Sequence, residues 1–122
     1  MKIKNIKFKA KQLNSGKWFE GDLVRLGNRV CIGGDHIKDG ITDVDPSTVC
    51  MFTGLKDSEG NEIWEGDIIS SPHFERVATV KWDDSLCGFK CSDVTGNINF
   101  SFTAIAHCSE WSIVGNKFDK KK

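Results

Sequence analysis

Near the amino terminus the sequence reads Ile6-Lys7-Phe8-Lys9-Ala10-Lys11, in which apolar and basic side chains alternate without a break. Successive side chains of a β-strand point to opposite faces of the sheet, so Ile6, Phe8 and Ala10 would share one face and the lysines the other. This pattern is typical of a strand that is buried on one face only. It predicts a half-buried β-strand at the start of the chain.

Turn-forming residues separate this strand from the segments that follow it. Asn14-Ser15-Gly16 predicts a first turn, residues 17–26 predict a second strand, and Gly27-Asn28 predicts a two-residue reversal into a third strand at residues 29–32. Residues 33–47 are so rich in glycine and aspartate that we predict a loop, with short extended pieces near Ile37 or Ile41.

Further strand candidates follow, and no apolar stripe at helical spacing extends over three turns. They are residues 48–53, which Gly54 should end, and residues 62–70, 77–82, 88–92, 98–102 and 112–114. We therefore predict a mainly β fold, either a compact antiparallel barrel or two packed sheets, with minimal helix. Residues 77–102 should form a meander.

Two eight-residue segments, residues 17–24 and 62–69, echo each other. The first contains Glu20-Gly21-Asp22 and the second contains Glu65-Gly66-Asp67. Glycine permits a positive φ or a bulge, and aspartate can accept backbone N–H bonds beside it. We predict that Gly21 and Gly66 bend their strands and that Gly54 also marks a turn or bend.

The length of 122 residues suits one domain, which we place at residues 1–118, followed by a basic tail at residues 119–122. The 17 basic and 17 acidic residues cancel, so the overall charge of a nucleic-acid coat protein is missing. Six lysines nonetheless precede the first acid, Glu20. We expect them to be solvated on the outer face of an edge or near-edge strand, where lysine discourages edge-to-edge pairing. A phosphate-contacting patch is the alternative.

The cysteine content and the apolar runs indicate a cellular compartment. Five cysteines in a chain with no evident export signal are typical of reduced thiols in a cytosolic protein. The residues after Met1 alternate instead of forming the apolar core of a signal peptide, and no apolar run approaches membrane length. We expect a cytoplasmic protein with free thiols, no membrane association and no cofactor.

A zinc site is suggested by Cys87 and Cys91, to which His107-Cys108 could add two soft ligands. The spacing argues against it, because zinc-binding cysteines are usually two to four residues apart in a turn, with a second pair at a matching distance. A strand would instead place Cys87, Phe89 and Cys91 in one buried row. We therefore predict no metal.

An enzymatic site is not indicated by any recognised motif. A cysteine or serine nucleophile could meet His36, His73 or His107 in space, but the chain has no nucleophile elbow, phosphate loop or metal-binding helix motif. The aromatic residues could instead form a platform that stacks nucleic-acid bases. Alternation buries most of them, although Trp18 and Phe19, being adjacent, cannot share one face of a strand. We expect no catalysis.

The most specific pattern is an aromatic-Thr-Gly-Leu-Lys-Asp turn, a reversal with glycine, and an acidic-Gly-Asp-hydrophobic strand, in that order. This chain matches the pattern with Phe52-Thr53-Gly54-Leu55-Lys56-Asp57, then Gly60, then Glu65-Gly66-Asp67-Ile68-Ile69. It resembles the YopX family of bacteriophage and prophage proteins. The resemblance covers nearly the whole chain, because four further segments also fit the family. They are the first predicted strand, Lys81-Trp82-Asp83, Gly88-Phe89 and Ile113-Val114-Gly115-Asn116. It implies a phage-encoded or prophage-encoded cytosolic protein with a compact β fold and no assigned reaction.

The candidate binding residues belong to this pattern: they are Lys56, Asp57, Glu65 and Asp67. One hypothesis makes them a polar binding edge. The other, which we favour, is that the acids and glycines satisfy the geometry of turns and bends.

The predicted function is that of a non-enzymatic phage or prophage accessory protein in the host cytoplasm. It would bind a macromolecule, with a phage or host protein as the first expectation. A nucleic-acid-binding small β-barrel is the alternative, and self-association is left open.

Overall fold

The computed structural model describes residues 2–72, 74–93, 95–96, 99–101 and 110–119. The chain divides into two compact units, Met1–Phe52 and Thr53–Lys122, called unit 1 and unit 2 below. The strands are β1 (Phe8–Lys11), β2 (Trp18–Leu26), β3 (Arg29–Gly33), β4 (Ile41–Asp43), β5 (Cys50–Lys56), β6 (Glu62–Trp64), β7 (Asp67–Ser71), β8 (Phe74–Asp83), β9 (Gly88–Asp93), β10 (Asn99–Ser101) and β11 (Ser112–Asn116). Short 3-10 turns are formed by Ile3–Asn5, Lys38–Gly40 and Pro46–Thr48.

In unit 1 the strands are antiparallel neighbours in the order β4-β3-β2-β1-β5. Leu26 pairs with Arg29, so only Gly27 and Asn28 connect β2 to β3, as the sequence predicts. Gly27 has a φ of +60°, which glycine adopts without the steric cost that a side chain would bring. The extended piece expected near Ile41 is confirmed as β4.

One face of the unit 1 sheet carries the core of the unit. Ala10, Ile32, Ile37 and Val44 are buried there, and Phe8 packs against them. The predicted alternation is therefore confirmed within β1, where Phe8 and Ala10 face the core and the lysines lie on the opposite face. It is wrong for Ile6, which precedes β1 and is exposed.

β1 has a partner strand on both sides, which excludes the edge alternative of the predicted edge or near-edge position. Phe8 pairs with Gly21 of β2 and also with Met51 of β5. The edge alternative is wrong because β5, which is distant in sequence, pairs along the side of β1 that β2 leaves open. Protection of a sheet edge therefore does not explain the lysines of β1.

Gly21 does not form a turn, and the predicted bend of β2 at this residue stays a prediction. It lies within β2, and its φ is outside the left-handed region. A Cβ at this position would lie 2.2 Å from the carbonyl oxygen of Gly33. The glycine is needed because β3 passes close to the backbone of β2 at this point.

In unit 2 the second half of β5 runs beside β6, where the Thr53 hydroxyl donates to the Ile63 carbonyl at 2.6 Å. The other strands form an antiparallel sheet in the order β10-β9-β8-β7-β11. Strands β8, β9 and β10 are consecutive neighbours, which confirms the predicted meander over its described residues. β11 returns to pair with β7, with a bulge between Ile113 and Gly115.

The core of unit 2 consists of small and branched apolar side chains together with one tryptophan. The buried members are Ile63, Ile69, Ala78, Val80, Cys91 and Trp111. Four of them, Ile63, Ile69, Val80 and Cys91, are completely inaccessible to solvent. Full burial of an isoleucine or valine side chain contributes about 1.5–3 kcal/mol to stability.

Two glycines shape residues 48–70 differently from the prediction. The sequence predicts that Gly54 ends its strand, but β5 continues to Lys56 with Gly54 at a φ of +87° inside it. Residues 62–70, predicted as one bent strand, form β6 and β7 with a turn at Glu65-Gly66. Gly66 has a φ of +88°, so the predicted bend there is confirmed.

The prediction of a mainly β, antiparallel fold with minimal helix is confirmed. Of the two architectures predicted, the described strands form two open sheets and no closed barrel. A single domain over residues 1–118 stays a prediction, as does the tail at residues 119–122, of which only residue 119 is described. Across the described residues, no helix has the length and apolar character needed to span a membrane.

Candidate functional site

The Asp57 carboxylate organises the turn between β5 and β6. Its Oδ1 atom accepts hydrogen bonds from the backbone N–H groups of Glu59 at 2.9 Å and Asn61 at 2.8 Å. Its Oδ2 atom accepts the backbone N–H of Ile113 in β11 at 3.2 Å. Asp57 therefore fixes its own turn and also ties that turn to a strand far away in sequence.

The pKa of Asp57 reflects these contacts. Burial acts to raise the pKa of this carboxyl, because it disfavours the charged form. The N–H groups of Asn61, Ile113 and Glu59 stabilise the carboxylate more strongly and bring the pKa below its ordinary value. Asp57 is therefore held as a carboxylate by the backbone around it.

The Asp67 carboxylate has a similar role at the turn between β6 and β7. Its Oδ2 atom accepts the backbone N–H of Trp64 at 2.7 Å, and its Oδ1 atom accepts the side-chain amide of Asn116 at 3.0 Å. The side chain is only 3% exposed. Because Asn116 ends β11, Asp67 joins the beginning of β7 to the end of that strand.

The four predicted binding residues are thus of two kinds. Asp57 and Asp67 are buried and bind backbone or amide N–H groups, which supports the structural interpretation that the sequence favours. Lys56 is exposed and Glu65 is half-buried. A binding edge made with these two residues stays a prediction.

A different surface of unit 2 exposes an aromatic ring at the end of the β8–β9 hairpin. Trp82 is 41% exposed and Leu86, in the connecting turn, is 63% exposed. The Trp82 ring meets the Phe89 ring edge to face, with centroids 5.2 Å apart, and its indole N–H donates to Asp84 at 2.7 Å. We call Trp82, Asp84, Leu86 and Phe89 the hairpin end.

Asp83 makes the turn of this hairpin rigid. Its Oδ1 atom accepts the backbone N–H of Ser85 at 2.9 Å, and its Oδ2 atom lies 2.9 Å from the Lys90 ammonium. Hydrogen bonds from Ser85 and Lys90 hold the pKa of Asp83 well below its ordinary value. The turn that carries Leu86 is therefore fixed by a carboxylate that stays charged.

Sequence reasoning did not single out Trp82 as exposed. Alternation places it in one row with Ala78 and Val80, which are both buried in the core of unit 2. However, β8 extends past the start of β7, because Ile68 already pairs with Thr79 near the beginning of β7. The length of a hairpin relative to its neighbouring strand is set by tertiary structure, and no local pattern in the sequence records it.

The cysteine row predicted from the sequence is only partly present. Cys91 is completely buried, and burial raises the pKa of its thiol to about 12, so it is protonated at neutral pH. Cys87 is exposed in the hairpin turn at a φ of +49°, so its predicted place in a buried row is wrong. It precedes β9, and alternation in that strand does not apply to it.

The other candidate metal ligands and bases are distributed along the chain. Within the described residues, no three side chains of His, Cys, Asp or Glu come together as a set of metal ligands. His36 lies exposed in unit 1, with its Nε2 atom within hydrogen-bond distance of the Glu20 carbonyl. His73, His107 and Cys108 lie outside the described residues.

The described strands form a mainly antiparallel β protein. Its most specific sequence motif contains Asp57 and Asp67, whose carboxylates accept hydrogen bonds from the backbone of neighbouring turns. The family model described as YopX protein matches residues 7–121, and the chain belongs to that family. No curated protein matches the chain.

Proposed function

We propose that the chain is a non-enzymatic phage or prophage accessory protein that binds a protein partner through the hairpin end. The observation that supports this proposal is the exposed Trp82 ring, which is held in place by Phe89 and Asp84. Tryptophan is enriched among the residues that contribute most of the binding energy at protein interfaces. A ring that is already fixed loses little conformational entropy on binding.

The chemistry around Trp82 favours a protein partner over a nucleic acid at this surface. The Asp84 carboxylate lies beside the ring and repels phosphate groups, while Asp83 and Lys90 pair with each other and leave no unpaired positive charge at that position. An apolar centre formed by Trp82 and Leu86, with charged residues around it, is the usual composition of a protein interface. The partner would present an apolar pocket that accepts an indole ring.

The proposed setting is the cytoplasm of a host cell that carries the phage or prophage. The odd number of cysteines and the exposed thiol of Cys87 suit a reducing compartment.

The proposal is tested by affinity capture of the tagged protein from lysate of infected host cells, with and without nuclease. The wild-type chain is compared with Trp82→Ala and with Val114→Ala, a control at an exposed apolar residue on β11. We expect a captured protein that survives nuclease and is retained by the control. The Trp82→Ala variant should weaken the purified complex by about 30-fold or more, as expected for an interface tryptophan.

Two results would contradict the proposal. One is capture of the same protein by Trp82→Ala and wild type in equal amounts. The other is a capture that disappears with nuclease. If size-exclusion chromatography shows a dimer that Trp82→Ala dissociates, the partner is a second copy of the chain and the expected phage or host protein is wrong.

A further inference from the structure

Unit 1 carries a second surface, on the sheet face opposite its core. Lys9 and Lys11 place their ammonium groups 4.7 Å and 5.3 Å from the centre of the Trp18 ring. Lys7 lies 4.8 Å from the centre of the Phe52 ring and 3.0 Å from the Glu20 carboxylate. We call Lys7, Lys9, Lys11 and Trp18 the lysine face.

The position of these lysines concentrates positive charge around one ring. The ammonium groups of Lys9 and Lys11 can be no further apart than the sum of their distances to Trp18, about 10 Å, which is about one Debye length at 0.1 M salt. Their potentials therefore reinforce each other, while the Glu20 carboxylate on the same face offsets the charge of Lys7. Edge protection does not explain the arrangement, because β1 is paired on both sides.

The two units differ in charge, although the chain as a whole is neutral. Residues 1–52 contain nine basic and six acidic residues, whereas residues 53–122 contain eight and eleven. Six of the nine basic residues are the lysines that precede Glu20. A partner attracted by charge to unit 1 is therefore an anion.

We propose that the lysine face binds single-stranded nucleic acid, with the lysines on phosphates and the Trp18 ring stacked on a base. Lysines at every second residue of a strand repeat at about 6.7 Å, which is about two phosphate steps of a stacked single strand. Proteins that bind single strands combine such a row of charge with an aromatic ring on which bases stack. The lysine side chains are flexible enough to move from the ring to phosphates.

A single strand fits this surface better than a duplex. The ring and the ammonium groups lie on the face of a sheet, while base reading in a duplex requires a helix or a two-stranded ribbon inserted into the major groove. Unpaired bases can be placed flat on an aromatic ring on a sheet, as small β domains that bind RNA do.

The probe is a fluorescein-labelled oligo(dT) of about 20 nucleotides, longer than the single-strand sites of small β domains, titrated by fluorescence anisotropy at rising salt. Three phosphate contacts on a single strand predict a log–log salt slope of about −2. The combined variant Lys7→Gln, Lys9→Gln, Lys11→Gln should lose at least about tenfold in affinity and flatten this slope. Trp18→Leu, which keeps the lysines, should lose about tenfold through lost stacking.

The matched control is the combined variant Arg25→Gln, Lys38→Gln, Lys117→Gln, which removes the same charge from exposed positions elsewhere. It should bind nearly as the wild type does. The combined variant Lys7→Arg, Lys9→Arg, Lys11→Arg keeps the positive charge and should keep binding, which tests whether the charge of these residues, and not the ammonium group itself, carries the affinity. Circular dichroism checks that each variant is folded.

Three outcomes would overturn the proposal. The first is no binding of the oligonucleotide by the wild type at about 50 mM salt, where phosphate contacts are strong. The second is an equal loss in the control variant, which would show a diffuse charge effect. The third is stronger binding of a poly-glutamate peptide than of the oligonucleotide, which would make the partner an acidic protein.

Discussion

Asp67 and Asn116 are 49 residues apart in sequence, and the Asn116 side-chain amide donates to the Asp67 Oδ1 atom at 3.0 Å inside unit 2. The same carboxylate accepts the backbone N–H of Trp64. Replacing Asp67 by alanine leaves both buried donors without this acceptor. We expect the free energy of unfolding in urea to fall by about 2–4 kcal/mol, because hydrogen bonds to buried charged groups are strong and their donors are costly to leave unsatisfied.

Asn116→Ala and the double variant complete a mutant cycle for this pair. The coupling energy between Asp67 and Asn116 should be about 0.5–3 kcal/mol, as for directly contacting residues. Additive effects of the two substitutions would show that the hydrogen bond contributes nothing to the stability of unit 2.

Asp57 should make the free energy of unfolding depend on pH in the acidic range. Its pKa in the folded protein is depressed by backbone N–H groups, so its carboxylate stabilises the fold at pH values above the unfolded value of about 3.9. This contribution is lost as the pH falls through the folded pKa. We expect Asp57→Asn to lower the free energy of unfolding at pH 7, and the difference from wild type to narrow below about pH 4.

Urea unfolding at a series of pH values measures this effect. Glu59→Gln is the matched control, because Glu59 lies exposed in the same turn. A constant difference between Asp57→Asn and wild type down to about pH 2 would contradict a role for the carboxylate charge.

Alanine substitution at the glycines of β5, β2 and the β6–β7 turn should lower the stability of the fold for a different reason at each position. Gly54 has a positive φ and open space around it, so Gly54→Ala should cost about 1 kcal/mol from backbone strain alone. Gly66→Ala should cost more, about 1–3 kcal/mol, because a Cβ would also meet Phe118 at 3.3 Å. Gly21→Ala should be the most harmful, since the backbone of β3 must shift.

Thermal melts rank these three variants. If Gly21→Ala had the same melting temperature as the wild type, the close approach of β2 and β3 at Gly21 would be refuted. If Gly66→Ala kept its stability but lost the captured partner, the turn would be a binding element and its structural role would be refuted.

The thiols should react at very different rates with a small disulfide reagent. In a Cys108→Ser background, which removes the cysteine outside the described residues, Cys87 should react rapidly because it is exposed. Cys31, Cys50 and Cys91 are buried and should react only when the fold opens. A rapid phase that persists after the further substitution Cys87→Ser would show that one of these three is accessible.

Local chemistry made part of this fold predictable. The β2–β3 hairpin follows from Gly27-Asn28, and the turn after β5 follows from Asp57 and Gly60, because turn residues act on their own neighbours. The period-two alternation correctly separated the core face of β1 from its lysine face.

Non-local contacts account for what the sequence did not reveal. The pairing of β1 with β5 removed the expected edge, and the close passage of Gly33 gave Gly21 a role that its Glu-Gly-Asp context did not indicate. The acids at positions 57 and 67 are predictable as turn residues, but their bonds to Ile113 and Asn116 are not. Trp82 lies in the same alternating row as the buried residues of β8, yet it is exposed because β8 extends past the start of β7.

Photocrosslinking from the hairpin end during infection tests the proposed protein interaction most directly. A photoreactive amino acid is placed at position 86, where Leu86 is exposed, and in a second variant at position 114, where Val114 is exposed on β11. We predict a protein crosslink from position 86 that is absent from position 114 and is lost when Trp82→Ala is added. Equal crosslinking from both positions, or a position 86 crosslink that persists without Trp82, would contradict the claim that this hairpin end binds the partner.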